Sequence, residues 1–485
     1  MRSTLFRWIA PDQTTALSAS ELSDCAPAES LEYFPKVAFA PVLLQSSAAR
    51  HRKAARPRWR GSHKFRSFHV SSSAATDCTQ REVGGPGLRA QTSGLESANH
   101  SRCRTRAALQ LMHGWSMRYV NLGQRLLHIS ICKRMTCPPH HSDGKEKKRY
   151  RRPNESGMMK AFLHRGVGLT VDQLLCGTLA VLHQRHGRRT STRETVEEYL
   201  AACENLTRAQ YFVTPATLEN FRHELPDFIS WSSSAKSVAE FPVNGRVRVR
   251  LHRAHPGAST VITLHSLMSA SDVGYRFWAR RFNQLGWNVA FVHLPFHHSR
   301  RPRGYLNGEL CCTADLVLTG DTLRQAVVEV RQLIAWLQMQ GDAGIGLIGT
   351  SYGGWIAALL ASLQPELRFV ALLAPMVNIV HALYEGPTSW TIRRQLARGG
   401  LDRALIDRHA HLSSPLHAQP AGNVGERTLI IGGSFDRIVR MADLVALRNA
   451  WRGSELITVP QAHFGYGMIP CAVEWLRQRG LLAPV

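Results

Sequence analysis

The sequence predicts an α/β fold in which a doubly wound, mostly parallel sheet follows a helical N-terminal pre-domain and carries a helical lid insertion. Two observations lead to this prediction. Beyond residue 239, short apolar runs alternate with segments that have apolar residues at helical spacing, as in parallel sheets whose strands are joined by helices. In addition, a glycine-rich break at Gly349–Gly354 separates an apolar run from an apolar helical segment, which is typical of a tight turn from strand to helix.

The length and composition are compatible with one large hydrophobic core and no more than two or three domains. The chain has 485 residues, of which 44% are hydrophobic, and its formal net charge is +25. A chain of this size buries most of the apolar surface that its unfolded form exposes. The excess of positive charge is concentrated disproportionately in the first third of the chain.

Residues 1–157 are predicted to form a disordered basic extension. Their apolar residues keep neither a helical nor a strand period for long, and Ser, Arg, Ala and His dominate. One interpretation is a basic tail that contacts nucleic acid or an anionic surface, and a second is a targeting peptide. We favour a third, in which this region is not native coding sequence, because sustained helical patterning begins at Met158. No specific nucleic-acid partner is therefore expected.

The cysteines predict a reducing compartment and hence a cytoplasmic location. The ten cysteines have no framework spacing, and Cys311 and Cys312 are adjacent, which rarely suits a structural disulfide. No stretch is expected to reach the length of a membrane span, and Gly166–His183 is predicted to be an amphipathic helix because it contains Asp172 and Gln173. Peripheral contact with a membrane or lipid stays open, and so does the oligomeric state.

No metal or cofactor is predicted. One group of candidate ligands has a spacing that matches no common zinc pattern, and it consists of Cys132, Cys137, His140 and His141. The adjacent His297 and His298 have no carboxylate at ligand spacing to support them.

Residues 158–238 are predicted to be a helical pre-domain that ends in a linker. Apolar residues at helical spacing predict helices at Ala161–His183, Thr192–Leu206 and Thr214–Glu224. The serine-rich stretch Phe228–Val238 is predicted to be the linker.

Residues 239–485 are predicted to contain the sheet. Strands are predicted at Gly245–His252, Ser259–Leu264, Trp287–Leu294, Gly344–Ser351, Phe369–Ala374, Thr428–Gly433 and Glu455–Val459. Helices are predicted at Ala279–Leu285 and Ala314–Gln340. The stretch 376–427 interrupts the alternation with helical runs, and we expect it to be the lid.

The turn around Ser351 fits the G-x-S-x-G pattern of a nucleophile elbow. A serine on a strained turn from strand to helix needs neighbours without side chains, and Gly349 and Gly353 satisfy this need. Gly354 would let the following helix pack closely. The free N–H groups at the start of that helix would point at the reacting oxygen. Ser351 is therefore the candidate nucleophile.

Asp436 and His463 are the candidates for the acid and the base that such a serine requires. Each follows an apolar run predicted to be a strand, and together they complete the order serine, acid, histidine. His463 differs from His409 and His411, which precede Asp436 and lie in the predicted lid.

Two backbone N–H groups are predicted to form an oxyanion hole. One belongs to Tyr352, the residue after the nucleophile, and the other should come from the loop after an earlier strand. In that loop Leu267 is the candidate donor, with Met268 next. Ser266 stands where a glycine is usual.

The order of these motifs resembles the α/β-hydrolase superfamily and, more narrowly, the abhydrolase domain-containing protein 18 group. The resemblance covers roughly residues 160–480 and is carried by Tyr275–Arg281, Leu294–Pro302, Gly349–Gly354, Asp436 and His463. It implies an α/β-hydrolase fold and a serine hydrolase with a triad of Ser351, Asp436 and His463. It implies a lipid or acyl-ester substrate more weakly.

The function predicted from these residues is hydrolysis of an ester or related acyl bond in a small-molecule substrate. Two alternatives stay open. In the first, an alcohol replaces water and the same residues transfer the acyl group. In the second, the fold is a binding module without catalytic activity.

Overall fold

The computed structural model describes residues 155–184, 189–215, 217–235, 240–269, 271–465 and 467–483, with the side chains of the first helix described from Arg165 onward. The predictions for residues 1–154, and the candidate metal ligands between Cys132 and His141, lie outside the described residues. The first described helix begins at Glu155, slightly before the boundary at residue 158 that the sequence suggests.

The strands of the described residues are β1 (Arg222–Leu225), β2 (Phe228–Ser232), β3 (Arg246–His252), β4 (Thr260–Leu264), β5 (Asn288–His293), β6 (Ile345–Thr350), β7 (Phe369–Leu373), β8 (Thr428–Gly433) and β9 (Glu455–Val459). The α-helices are α1 (Glu155–Gln184), α2 (Arg193–Cys203), α3 (Arg208–Tyr211), α4 (Val273–Gln284), α5 (Leu316–Met339), α6 (Tyr352–Ala361), α7 (Ile379–Tyr384), α8 (Trp390–Arg398), α9 (Arg403–His411), α10 (Met441–Ala450) and α11 (Met468–Gln478).

All these strands form one mostly parallel sheet, which confirms the predicted fold class. The strand order is β1-β2-β3-β5-β4-β6-β7-β8-β9. The β1-β2, β2-β3 and β3-β5 pairs are antiparallel, and the pairs from β5 through β4 to β9 are parallel. Parallel strands require crossover connections, and the helices that form these connections cover the sheet. Because the parallel strands run in the same direction, their carboxyl ends lie at one edge of the sheet.

The sheet has a hydrophobic cluster on each face. Ile262 of β4 and Leu347 of β6 enter one cluster, and their neighbours Val261 and Ile348 enter the other. Successive side chains of a strand point to opposite faces, so a strand buried on both faces is apolar along its length. Helix α6 is buried throughout and packs in the first cluster, which fixes the turn that precedes it.

Two predictions for residues 214–238 are wrong. The predicted helix Thr214–Glu224 contains the start of β1, and the predicted linker Phe228–Val238 begins with β2. Strand β2 is antiparallel to β3. Its Trp231 is fully buried and donates a hydrogen bond from Nε1 to Gln332 Oε1 at 3.0 Å. Tertiary pairing with β3 therefore outweighed the serine-rich composition that indicated a linker.

Helices α7, α8 and α9 lie in the insertion 376–427, so its helical character is confirmed. The insertion packs against the N-terminal helices of the described chain. Thr391 donates from Oγ1 to the Ala180 carbonyl at 3.0 Å, and Gln395 donates from Nε2 to the His183 carbonyl at 2.8 Å. Val196 of α2 shares a hydrophobic cluster with residues of α8 and α9. The role of the insertion as a lid stays a prediction.

The expectation that no helix is long and apolar enough to span a membrane is wrong for α1. By length and composition its segment Arg165–Gln184 passes that test, and 28% of the segment is buried within the described structure. The buried residues include Asp172, Cys176 and Ala180. These recur at helical spacing, so one stripe of α1 packs on the domain.

Candidate active site

Ser351 lies at the sharp turn between β6 and α6. Its backbone has φ 53° and ψ −110°, a region that residues with a side chain rarely adopt. The Ser351 N–H donates to the Leu373 carbonyl at 2.9 Å, and its carbonyl accepts from the Met376 N–H at 3.2 Å. These bonds to the end of β7 hold the strained residue in place. The predicted elbow is thus present in the backbone.

The glycines of the elbow are required by close contacts. A Cβ at Gly349 would lie 2.3 Å from the Gly353 carbonyl oxygen, and one at Gly353 would lie 2.2 Å from the Leu264 carbonyl oxygen. A Cβ at Gly354 would lie 2.9 Å from Pro375. Each distance is shorter than atoms can approach without movement. The steric reasons predicted for all three glycines are confirmed.

Ser351, His463 and Asp436 form a continuous chain of hydrogen bonds. The Ser351 Oγ lies 2.9 Å from His463 Nε2, and His463 Nδ1 lies 2.8 Å from Asp436 Oδ2. The side chains of His463 and Asp436 are almost completely buried, whereas Ser351 is half-buried. This arrangement lets the imidazole take a proton from the serine while the carboxylate holds the Nδ1 proton.

The loops after β8 and β9 bring the acid and the histidine together. Asp436 Oδ1 accepts from the Ile438 N–H at 2.8 Å and from the Val439 N–H at 2.9 Å, so Oδ2 is left for His463. The close approach of the loops depends on Gly433, where a Cβ would lie 2.5 Å from the Gln461 carbonyl oxygen. Parallel pairing of β8 with β9 places both loops at the same edge as Ser351.

His463 has a raised pKa despite its burial. Burial alone lowers the pKa of an imidazole, but the Asp436 carboxylate and its hydrogen bond outweigh that effect, and Asp172 adds to the rise in pKa. A raised pKa makes the imidazole a stronger base. The Asp436 carboxylate that raises the pKa also stabilises the imidazolium that would form when the serine loses its proton.

The structure brings the two predicted oxyanion donors into neighbouring segments. Tyr352 is the first residue of α6, so its N–H belongs to the free helix N-terminus. The close contact of Gly353 with Leu264 packs that helix end against the end of β4, and Leu267 lies in the loop that follows β4. Met268, the second choice, has a positive φ of 57°.

Four histidines form a separate cluster beside the β4 and β5 loops: His265, His293, His297 and His298. The ring of His265 lies 4.5 Å from that of His297 and 4.7 Å from that of His298, between centroids. Burial lowers the pKa of His297 to about 3 and that of His298 to about 4. Within the described residues no group of His, Cys, Asp and Glu side chains is arranged to hold a metal.

Asp172 is a site residue that sequence reasoning missed. It lies on α1, far from His463 in the chain, and its Oδ2 accepts a hydrogen bond from the His463 backbone N–H at 3.2 Å. The Asp172 side chain is fully buried. One signal was available, because Asp172 is the one charged residue between Gly166 and Leu182. A carboxylate in an apolar helix is expected to have a partner.

The family model described as Alpha/beta hydrolase domain containing 18 matches residues 275–397. This range includes the Tyr275–Arg281 stretch, the elbow and part of the insertion. The chain has an α/β-hydrolase fold and resembles this family. Uncharacterized proteins from two Mycobacterium tuberculosis strains, CDC 1551 / Oshkosh and ATCC 25618 / H37Rv, are each 27% identical to it over 201 residues. The match covers 40% of this chain and 45% of each relative, so the chain spans about half their length.

This chain is also similar to solved structures of esterases. An acetyl xylan esterase from Paenibacillus sp. R4 is 14% identical, with a TM-score of 0.42, over 62% of this chain and 99% of that chain. An esterase from Pyrococcus furiosus is 16% identical, with a TM-score of 0.34, over 56% of this chain and 97% of that chain. Each name describes the activity of that protein.

Proposed function

We propose that this protein is a serine hydrolase that cleaves an ester or related acyl bond. The observation that carries the proposal is the pair of hydrogen bonds that link Ser351 Oγ to His463 Nε2 and His463 Nδ1 to Asp436 Oδ2, at 2.9 and 2.8 Å. The strained backbone of Ser351 supports it, since strain at a polar residue concentrates at functional sites. Resemblance to an α/β-hydrolase family agrees with this chemistry.

In the proposed reaction Ser351 Oγ attacks the carbonyl carbon of the substrate while His463 takes the hydroxyl proton. The tetrahedral oxyanion would be stabilised by the N–H groups of Tyr352 and Leu267. Collapse breaks the bond to the leaving alcohol, which receives the proton from His463. Water then attacks the acyl-serine with His463 again as the base, releasing the acid and restoring Ser351. No step requires a cofactor.

The half-buried Ser351 and the largely apolar surroundings of the elbow favour a small-molecule acyl substrate. We extend the proposal to acyl esters, including those of lipids. Rates for a series of p-nitrophenyl esters of increasing chain length would measure the acyl preference, and esters with different alcohols at one acyl length would measure the leaving-group preference. Hydrolysis of short esters alone would contradict the extension to lipids.

The proposed nucleophile is tested by a fluorophosphonate probe, which labels an activated serine covalently. Wild-type protein should be labelled, and Ser351→Ala should not. The same substitution should lower kcat by about 10⁶-fold, as removal of the nucleophile does in serine proteases. Ser362→Ala is the matched control, because Ser362 caps the end of the same helix and its hydroxyl donates to the Leu359 carbonyl within that helix. Labelling or near-normal turnover in Ser351→Ala would contradict the proposal, and absence of labelling in the wild type would favour a non-catalytic binding module.

We also propose a cytoplasmic location. The five cysteines of the described residues are free thiols, and all but the half-buried Cys312 are buried, as is usual in a reducing compartment. Fractionation of cells that express the tagged protein would test this, and recovery mainly with sealed organelles or in the medium would contradict it.

A further inference from the structure

Asp172 is an acidic side chain with no exposure to solvent, and the proposed reaction does not use it. Burial in an apolar helix raises its pKa because the charged form loses solvation. Such a residue is costly to keep unless it makes hydrogen bonds. Its position next to His463 therefore requires an explanation.

The contacts of Asp172 link α1 to the loop that carries His463. Asp172 Oδ2 accepts the His463 N–H at 3.2 Å, while Oδ1 has no hydrogen-bond partner among the described residues. One turn earlier, a Cβ at Gly168 would lie 2.8 Å from Ala462 Cβ, so the helix backbone touches the same loop. The helix thus contacts this loop by packing and by a hydrogen bond.

We propose that Asp172 is a positioning residue that holds the His463 backbone and places a second negative charge beside the imidazole. The inference rests on the proposed function, since it assigns Asp172 a role in the same hydrolysis. Holding the backbone keeps Nε2 within 2.9 Å of Ser351 Oγ. The second charge favours the imidazolium that forms in the transition state.

The groups that face His463 come from three elements. Asp436 lies in the loop after β8, Ser351 lies at the elbow, and Asp172 lies on α1, one turn before the buried Cys176. Burial raises the pKa of the Cys176 thiol to about 11, with Asp172 and Asp436 adding to the rise, so Cys176 is neutral near pH 7. The carboxylates are the charges that decide the protonation of the imidazole.

The test compares Asp172→Ala, Asp172→Asn and the matched control Gln173→Ala in the full chain. Gln173 is exposed on the same helix. Asp172→Ala should lower kcat by about 10²-fold, the effect of a small misplacement of a catalytic group, with little change in KM. Asp172→Asn keeps an acceptor for the His463 N–H and should recover most of kcat. Because it removes a negative charge, it should also shift the acid limb of kcat/KM to lower pH.

Three outcomes would overturn the inference. Asp172→Ala could keep wild-type kcat and pH profile, or Asp172→Asn could lose as much activity as Asp172→Ala with the same fall in thermal midpoint. Asp172→Asn could also leave the acid limb of kcat/KM at the wild-type pH, which would contradict the second negative charge that the proposal places beside the imidazole. In each case active wild type and inactive Ser351→Ala would leave the proposed function intact. Failure of that function would instead appear as wild-type protein without turnover.

Discussion

His463 and three of the four clustered histidines are buried and His298 is half-buried, but the pKa of His463 shifts in the opposite direction from those of the cluster. His463 contacts Asp436 at 2.8 Å, and its pKa is raised. Burial lowers the pKa of His293 to about 3, and that of His265 falls well below its ordinary value. Members of the cluster contact one another and backbone carbonyls, and His293 is also near Arg300.

This difference shows that burial alone does not make a histidine a base. In the cluster, loss of solvation favours the neutral ring, and each neighbouring ring disfavours a second positive charge. At His463 a carboxylate reverses the balance. The clustered histidines therefore stay neutral near pH 7, whereas a histidine with a carboxylate on its Nδ1 has the raised pKa that suits a general base.

The largest effect is expected from Asp436→Asn, which should remove the difference in pKa between His463 and the histidine cluster. This substitution leaves His463 buried but removes its carboxylate, so its pKa should fall below the ordinary value as in the cluster. We expect kcat to drop by about 10⁴-fold, as for the equivalent protease change, because the imidazole loses its tautomer and orientation. Steady-state kinetics should show a much smaller change in KM. If Asp436→Asn is silent and another acid is essential, Asp436 is not the triad acid.

The pH dependence of kcat/KM in the wild type should separate the pKa of His463 from those of the histidine cluster. His463 must be neutral to accept the serine proton, and its pKa lies above the ordinary value of 6.5. The rate constant kcat/KM should therefore fall as the pH drops, with a midpoint above about 6.5. His297 and His298, with pKa values near 3 and 4, should add no inflection between about pH 5 and pH 8. A midpoint well below 6.5 would contradict the assigned role of Asp436.

The cluster should instead influence stability. His298 is neutral in the folded protein down to about pH 4, but in the unfolded chain it binds a proton below about pH 6.5. The unfolded state therefore binds more protons between these values, and the free energy of unfolding should decrease as the pH falls through that window.

His298→Asn should weaken this pH dependence by up to about 1.4 kcal/mol per pH unit. Asparagine does not titrate, and it tolerates the positive φ of 49° at this position. Urea unfolding at pH 7 and pH 5 measures the effect, with the exposed His223→Asn as control. Equal pH dependence in His298→Asn and wild type would contradict the prediction.

The smallest effect is expected from removing residues 1–157. Their composition lacks the sustained apolar periodicity that forms a core, and the truncated chain 158–485 keeps both Asp172 and the whole histidine cluster. Activity and thermal midpoint should match those of the full-length protein. A fall in midpoint of more than a few degrees would mean that residues 1–157 contribute packing.

Local patterns were sufficient to predict most of the parallel sheet and the elbow. Strands β8 and β9 have the predicted bounds. Strands β3, β4 and β7 differ from theirs by one residue at one end, and β5 and β6 by one residue at each end. Strands β4 to β8 are buried along almost their whole length, so each appears in the sequence as a short apolar run, whereas β3 alternates buried apolar residues with half-buried arginines. The elbow was predictable because its steric requirement falls on Gly349 and Gly353, which are close to Ser351 in the chain.

The sequence alone also determined the order of Ser351, Asp436 and His463, because each follows a strand and parallel strands end at one edge of the sheet. Only the tertiary structure decided what surrounds them. Strand β2 forms because it pairs with β3. Asp172 contacts His463 because α1 packs against the loop after β9. The protonation of the histidines was decided in the same way. Solvation and neighbouring charge depend on which groups lie nearby in space, and a pattern of residues along the chain does not contain that information.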